Sequence, residues 1–128
     1  MPYSLIFSQE LPFELTNGND GRNKRWFNPA KIRNQFEADL KRLRLTRTPF
    51  AFPVHVRVTR LLGENQKLWD ESSVGRGNYK ELEDALVVCG WFVDDNPKWI
   101  REVRWRQISQ TVTKRKTPGI LIEVFTKA

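Results

Sequence analysis

The chain has 128 residues, which is enough for one domain with a buried core but too few for two independent ones, so we expect a single domain over residues 1–128. Its 22 Lys and Arg against 15 Asp and Glu give a net charge of +7, which is typical of proteins that bind a polyanion, although such a charge also serves solubility alone. No run approaches the roughly 20 apolar residues of a membrane span, and the single cysteine and single histidine exclude an internal disulfide and a Cys/His zinc site, so any metal must be held by oxygen ligands.

The first third of the chain predicts a strand, a loop and a helix. Residues 1–8 lack the basic start and long apolar stretch of a secretory signal, so we expect a cytoplasmic protein. The aromatic and apolar run at residues 3–9 predicts an edge strand that a proline ends. Residues 16–28 are rich in Gly, Asn and Asp and indicate a basic loop, after which Asn28 and Pro29 are typical of a helix start. The apolar residues that recur at helical spacing after it are Ile32, Phe36, Leu40 and Leu43.

The middle of the chain predicts a second strand and a second helix. Residues 55–62 alternate valine with polar side chains, as a half-buried strand does. Residues 63–77 show no sustained period and indicate a loop. Asn78 can cap the helix that follows, with Glu81 three residues on, and Gly90 supplies its stop.

Two strands separated by a basic turn are predicted at the end of the chain. Residues 98–110 alternate imperfectly between apolar and charged side chains, and residues 119–125 are strongly typical of a strand, which together predict a hairpin that closes the sheet. The order strand, helix, strand, helix, strand, strand indicates an α+β arrangement within the broad α/β class. We therefore expect a small mixed β-sheet of about four strands with two main helices.

The segment from Lys80 to Trp99, KELEDALVVCGWFVDDNPKW, joins several features at fixed spacing. Lys80 and Asp84 share one helix face at i and i+4, and a pair of aspartates follows the helix. This pattern resembles the RusA family of Holliday-junction resolvases and their phage-encoded relatives, in which a D-x-D-N element precedes a helix with D-A-L, followed by a glycine, apolar residues and D-D. The residues that match are Asp84-Ala85-Leu86, Gly90, Asp94-Asp95 and Pro97-Lys98-Trp99.

The resemblance implies a homodimeric endonuclease that depends on Mg²⁺, with Mn²⁺ as an alternative cation, and cuts four-way DNA junctions symmetrically. It implies that Asp95 is the late catalytic aspartate and that Asp94 is its neighbour. Asp70 stands for the first carboxylate of the early element. The implied catalytic residues are therefore Asp70, Asp94 and Asp95, and the implied metal ligands are Asp70, Glu71 and Asp95.

The early element departs from the family pattern. Ser72 falls where the second aspartate is expected, and Ser73 replaces the asparagine; a gapless alignment would instead place Glu71 first and Ser73 second. Mg²⁺ prefers hard carboxylate oxygens, and serine is a neutral, weak ligand. We therefore expect weaker metal binding and slower cleavage than at a complete site, unless Glu71 compensates.

The two halves of this predicted site must be brought together by the fold. A helix over residues 78–89 is about 18 Å long at roughly 1.5 Å per residue, which would hold Asp70 and Asp95 apart. Residues 90–94, if extended at roughly 3.3 Å per residue, span about 16 Å and can run back along the helix. The site can thus assemble within one subunit, and assembly across a dimer is the alternative.

Each of these residues also has a plainer interpretation. The paired aspartates can form a turn with Asn96 and Pro97. Lys80 can pair with Asp84 in an ordinary helix salt bridge instead of contacting phosphate, and Asp84 can be structural. The acidic pair at residues 70–71 can be solvated. Further residues with a structural alternative are Trp26 and Phe27, which are either core or stacked on bases, and His55 and Cys89, which we expect to be structural.

Three functional hypotheses follow from these patterns. The first is a structure-selective endonuclease, and the second is a catalytically impaired RusA-like protein that binds branched DNA without cutting it. The third is a protein-interaction role without nucleic acid, which the net charge disfavours. The candidate DNA-binding residues are Arg22, Lys24, Arg25, Arg76, Lys80, Lys114 and Arg115.

Overall fold

A computed structural model of the chain describes residues 3–15, 28–69 and 78–127. Within them no helix has the length and apolar character needed to cross a bilayer. The described part is a four-stranded mixed sheet with helices, which is the α+β arrangement predicted from the sequence. Its elements are β1 (Tyr3–Leu11), α1 (Pro29–Arg42), β2 (Val54–Leu61), α2 (Tyr79–Val88), β3 (Ile100–Ile108), α3 (Gln110–Thr113) and β4 (Gly119–Lys127).

The strands lie in the order β1-β4-β2-β3, so the predicted hairpin between the last two strands is wrong. β4 is antiparallel to β1 on one side and to β2 on the other, whereas β3 pairs in parallel with β2 at the sheet edge. The physical reason is burial: the apolar β4 is covered by a strand on each side, and the charge-rich β3 suits an edge. The parallel pairing needs a crossover, and α2 supplies it.

The helix ends agree with the predicted signals in all but one respect. The Asn28 side chain accepts a hydrogen bond from the Lys31 N–H at 3.2 Å, and Pro29 occupies the first turn of α1. Asn78 stands at the start of α2, but its side chain makes no capping hydrogen bond there, so the predicted capping interaction is wrong. Gly90 ends α2 with a φ of +86°. One turn, α3, was not predicted, because residues 110–113 carry no apolar period.

The two faces of the sheet differ in chemistry. Alternate residues of the two central strands are buried against the helices, and their neighbours point to the opposite face, which we call the outer face. The core residues from these strands are Val54, Val56, Val58, Ile120, Ile122 and Val124, and they pack with Phe36, Leu40, Leu82 and Leu86 of the helices. The outer face carries Tyr3, His55, Arg57, Glu102, Arg104, Arg106, Glu123 and Phe125.

Candidate functional site

The chain reverses direction directly after α2. The N–H groups of Gly90 and Trp91 donate to the carbonyls of Val87 and Leu86 at 3.1 and 2.9 Å, which is the hydrogen-bond pattern of a Schellman motif. The following residues run back along the helix, so that the Asp95 carboxylate contacts the ammonium group of Lys80 in the first turn of α2. The return path that the segment length allows is therefore present.

Four charged side chains meet at this point, and we call them the α2 cluster: Lys80, Glu83, Asp84 and Asp95. Lys80 Nζ lies 3.0 Å from Asp84 Oδ1 and 3.9 Å from Glu83 Oε1, in addition to its hydrogen bond with Asp95. The salt bridge between Lys80 and Asp84 that helix spacing predicts is confirmed. One cation thus stands among three carboxylates, two from the helix and one from the returning chain.

The ion pairs of the α2 cluster shift the titration of its members. The hydrogen bond from Lys80 lowers the pKa of Asp95, so this carboxylate is ionised at neutral pH. The same hydrogen bond, followed by that to Asp84, raises the pKa of Lys80, although partial burial opposes the effect. The pair is consequently charged throughout the physiological range.

Glu83 is the member of the cluster that the sequence pattern did not identify. It is only 8% exposed, and burial raises its pKa to about 7, with Lys80 opposing and Asp95 adding to the shift. A signal was present, because Tyr79, Leu82, Glu83 and Leu86 form the buried stripe of α2 at helical spacing. A carboxylate in an apolar stripe is costly unless it is paired, which marks such a position as a site candidate.

Tyr79 forms the inner wall of the cluster. Its ring packs edge-on against Trp105 of β3, with 4.8 Å between the ring centroids. Burial and the adjacent Glu83 carboxylate raise the pKa of Tyr79, although the buried hydroxyl makes no hydrogen bond of normal geometry. The first turn of α2 is thereby attached to the edge strand β3, which keeps the α2 cluster in place.

Replacing Glu83 by glutamine is expected to remove part of the pH dependence of stability. The folded state holds the Glu83 proton more tightly than the unfolded state, because its pKa is about 7 against an ordinary 4.5. The contribution of this group is therefore fully present below about pH 4.5 and is lost as the pH rises through 7, at a cost on the order of 3 kcal/mol. In urea unfolding, Glu83→Gln should be the more stable protein at pH 8, and the difference should close towards pH 4. Parallel stability curves for the two proteins would contradict this expectation.

Asp94 is placed differently from its neighbour. Its carboxylate accepts hydrogen bonds from the Asp95 N–H at 2.8 Å and from the Asn96 side chain at 3.1 Å, as in the turn that the plainer interpretation predicts. Asn96 in turn accepts from the Lys98 N–H at 3.0 Å. The contacts that the structure gives Asp94 are thus local, and they shape the turn that presents Asp95.

Two of the predicted DNA-binding residues lie away from α2, near the start of β4. Lys114 ends α3 in the left-handed conformation, with a φ of 55°. Arg115 donates to Glu10 Oε1 at 2.9 Å and to the Thr117 carbonyl at 3.1 Å. The predicted residues that lie outside the described part of the chain are Arg22, Lys24, Arg25, Trp26, Phe27, Asp70, Glu71, Ser72, Ser73 and Arg76.

The carboxylates of the α2 cluster are ligands of the kind that a hard cation prefers, but the described ones do not form a complete metal site. Asp84 and Asp95 offer carboxylate oxygens of the kind that Mg²⁺ prefers. Among the residues that the structure describes, however, no three acidic, histidine or cysteine side chains converge as a metal site requires. The described carboxylates alone therefore do not fit a divalent cation, and Lys80 supplies the positive charge between them.

No protein-family model matches the chain, and no curated protein matches it at a significant level. The geometry of the α2 cluster and the pattern of residues 80–99 are therefore the observations that bear on function. Asp84 and Asp95 belong to both.

Proposed function

We propose that this protein is a structure-selective endonuclease of the RusA type that resolves four-way DNA junctions. The observation that carries the proposal is the contact of Asp95 with Lys80 in the first turn of α2, beside Asp84. Phosphodiester hydrolysis needs carboxylates to position a nucleophile and a cation to offset phosphate charge. The resemblance of residues 80–99 to that family implies the carboxylate role for Asp95, and we propose the phosphate contact for Lys80.

The residues of the α2 cluster would have different roles in cleavage. Lys80 is 61% exposed and can exchange one carboxylate partner for a phosphate oxygen of the substrate. Asp95 is held ionised by Lys80 and is an acceptor for a proton or a ligand for a cation. Asp70 and Glu71 would complete the acidic set from outside the described residues, and Asp94 would orient Asp95 through the turn.

Mg²⁺, or Mn²⁺ in its place, is part of this proposal. When bound, such a cation would activate water and stabilise the charge that develops on the scissile phosphate. Because the described carboxylates do not form a complete site, binding would require Asp70 or Glu71 in addition to Asp95.

The net charge of +7 supports a nucleic-acid partner. The proposed contacts to the DNA backbone come from the basic residues at positions 22–25, from Arg76 and Lys80, and from Lys114 and Arg115. A homodimer would place two α2 clusters on two of the four strands of one junction. We also propose a cytoplasmic location, where branched DNA is present.

A second candidate is a RusA-like protein that binds branched DNA without cutting it. The observation that favours it is the double ion pair of Lys80, whose single positive charge offsets part of the negative charge of Asp84 and Asp95. Carboxylates that are compensated in this way hold a divalent cation less strongly. Such a protein would keep salt-sensitive junction binding and lose hydrolysis.

Removal of the divalent cation is expected to abolish cleavage and to spare binding. The purified protein is incubated with an end-labelled four-way junction in Mg²⁺, in Mn²⁺ or in EDTA, with a linear duplex of the same arm sequence as control. The endonuclease predicts symmetric nicks of the junction in either metal, none in EDTA, and a junction complex in all three. Complexes without nicks in any condition would support the binding protein. Neither nicks nor complexes would contradict both candidates.

A further inference from the structure

The outer face of the sheet contains a cavity of about 200 Å³ that the proposed nuclease site does not use. It crosses all four strands, because its walls come from β1, β4, β2 and β3 in turn. The side chains that matter here are Tyr3, Phe125, His55, Arg57, Glu102 and Arg104.

Aromatic rings form one wall of this cavity. The Tyr3 ring meets the His55 imidazole edge-on at 4.7 Å between centroids, and the Arg57 guanidinium lies 5.3 Å from the centre of the Phe125 ring. Tyr3 is 47% exposed, so much of its ring is open to a ligand. Exposed rings beside a guanidinium are the surface on which unpaired bases stack.

Arginines held by glutamates form the other wall. Arg57 Nε donates to Glu123 Oε1 at 2.8 Å, and Arg104 Nε lies 3.3 Å from Glu102 Oε1. The hydrogen bond orients the Arg57 guanidinium through its Nε, whereas Arg104 forms an ion pair with Glu102 and its side chain remains 69% exposed. An exposed guanidinium can turn its terminal N–H donors towards an anion, and this group is suited to phosphate.

Polar groups at the edge of the cavity add directional hydrogen bonding. The His55 ring nitrogen and the Glu102 carboxylate are 3.1 Å apart, and Glu102 can also accept from an amino group of a base. The volume of about 200 Å³ suits a single planar ring system, whereas drug-sized ligands take roughly 300 Å³ or more. A duplex cannot use such a cavity, because its bases are paired and stacked.

We propose that this cavity binds one nucleotide of single-stranded DNA, with its base against Tyr3 and its phosphate on Arg104. The proposal goes beyond junction cleavage and requires neither a metal nor the α2 cluster. A protein that acts on branched DNA would use it to hold an unpaired strand.

The test is fluorescence anisotropy of a labelled twelve-nucleotide oligothymidine, titrated with the full chain in EDTA over a range of salt concentrations. Tyr3→Leu is expected to weaken binding roughly 10-fold, a change of the size that loss of one stacked base produces, and Tyr3→Phe should bind like the wild type. Arg104→Ala should reduce the slope of log affinity against log salt by about 0.7, the value for one phosphate contact on a single strand. Arg42→Ala, which removes the same charge from an exposed position at the end of α1, is the matched control and should change neither quantity.

Several outcomes would overturn the proposal. Equal binding by Tyr3→Leu and Tyr3→Phe would show that no base stacks on Tyr3, and equal effects of Arg42→Ala and Arg104→Ala would show diffuse attraction by net charge. A dimer in sedimentation that Tyr3→Leu dissociates, without single-strand binding, would also overturn the proposal, because the face would then be a contact between two copies. Junction cleavage is measured separately on the wild type in Mg²⁺, so that failure of the nuclease and failure of the cavity are separate results.

Discussion

Asp95→Asn is expected to reduce junction cleavage by about 100-fold or more, since even outer partners of metal sites contribute 10- to 100-fold. The asparagine keeps the size of the side chain and can still accept from Lys80, but it removes the charge that this lysine stabilises. Binding of the junction should be preserved, because the substitution makes the protein more positive. Single-turnover cleavage and gel-shift titration on the same junction measure the two effects separately.

Asp94→Asn is the control for this prediction. Asp94 accepts from the Asp95 N–H and from Asn96, and an asparagine keeps a side-chain oxygen at this position. We expect a reduction in cleavage below about 10-fold, less than the loss of a direct participant. An equal loss for the two variants would mean that the negative charge of the turn matters more than the contact with Lys80.

Gly90→Ala is expected to lower the free energy of unfolding by about 3 kcal/mol or more, which is a large effect for one methyl group. The residue has a φ of +86°, and a Cβ atom built on it would lie 2.0 Å from the carbonyl oxygen of Arg47. That carbonyl belongs to a segment attached to the end of α2, since the Arg47 N–H donates to the Cys89 carbonyl and Trp91 Nε1 donates to Leu45. The clash is with backbone, which cannot give way as a flexible side chain does. Urea unfolding monitored by tryptophan fluorescence measures the loss.

Arg44→Gly provides the opposite substitution at the equivalent position of α1. Arg44 has a φ of 58°, and the hydrogen bonds of Arg44 and Leu45 repeat the Schellman pattern that ends α2. A side chain is thus tolerated there, so positive φ alone does not require glycine at residue 90. We expect Arg44→Gly to change stability by no more than about 1 kcal/mol. A small effect of Gly90→Ala as well would show that the Arg47 segment can move.

The same glycine connects stability with the candidate site. Gly90 lets the chain leave α2 and turn back, and the returning residues place Asp95 beside Lys80. Displacing the segment at Arg47 would therefore move Asp95 as well as destabilise the fold. The closeness of Gly90 to Arg47 is a contact between residues far apart in the chain, and no local pattern reveals it.

Local signals were sufficient for most of the elements. The Asn28 and Pro29 pair predicted the start of α1, and Gly90 predicted the end of α2, because caps and stops depend on a few adjacent residues. The strands were predicted within two residues or so of their ends, because alternation is a local property. Pairing between strands is different, since it is decided by which surfaces are buried together. The hairpin of the last two strands failed for this reason.

The candidate site divides in the same way. Helix spacing predicted the Lys80–Asp84 salt bridge, and the length of residues 90–94 allowed the return that brings in Asp95. Glu83 was missed, because its raised pKa comes from burial and from the charges of Lys80 and Asp95, which only the folded chain assembles.

The sequence by itself determined the types of the four strands and the two main helices, the α+β class, the basic charge and the pattern of residues 80–99, since each depends on composition or on short spacing. Only the tertiary structure decided the strand order, the burial of Glu83 and the cavity that Tyr3 lines on the outer face. These features come from contacts between distant residues, whose free energy depends on the surface that they jointly remove from water and on the charges that they bring together.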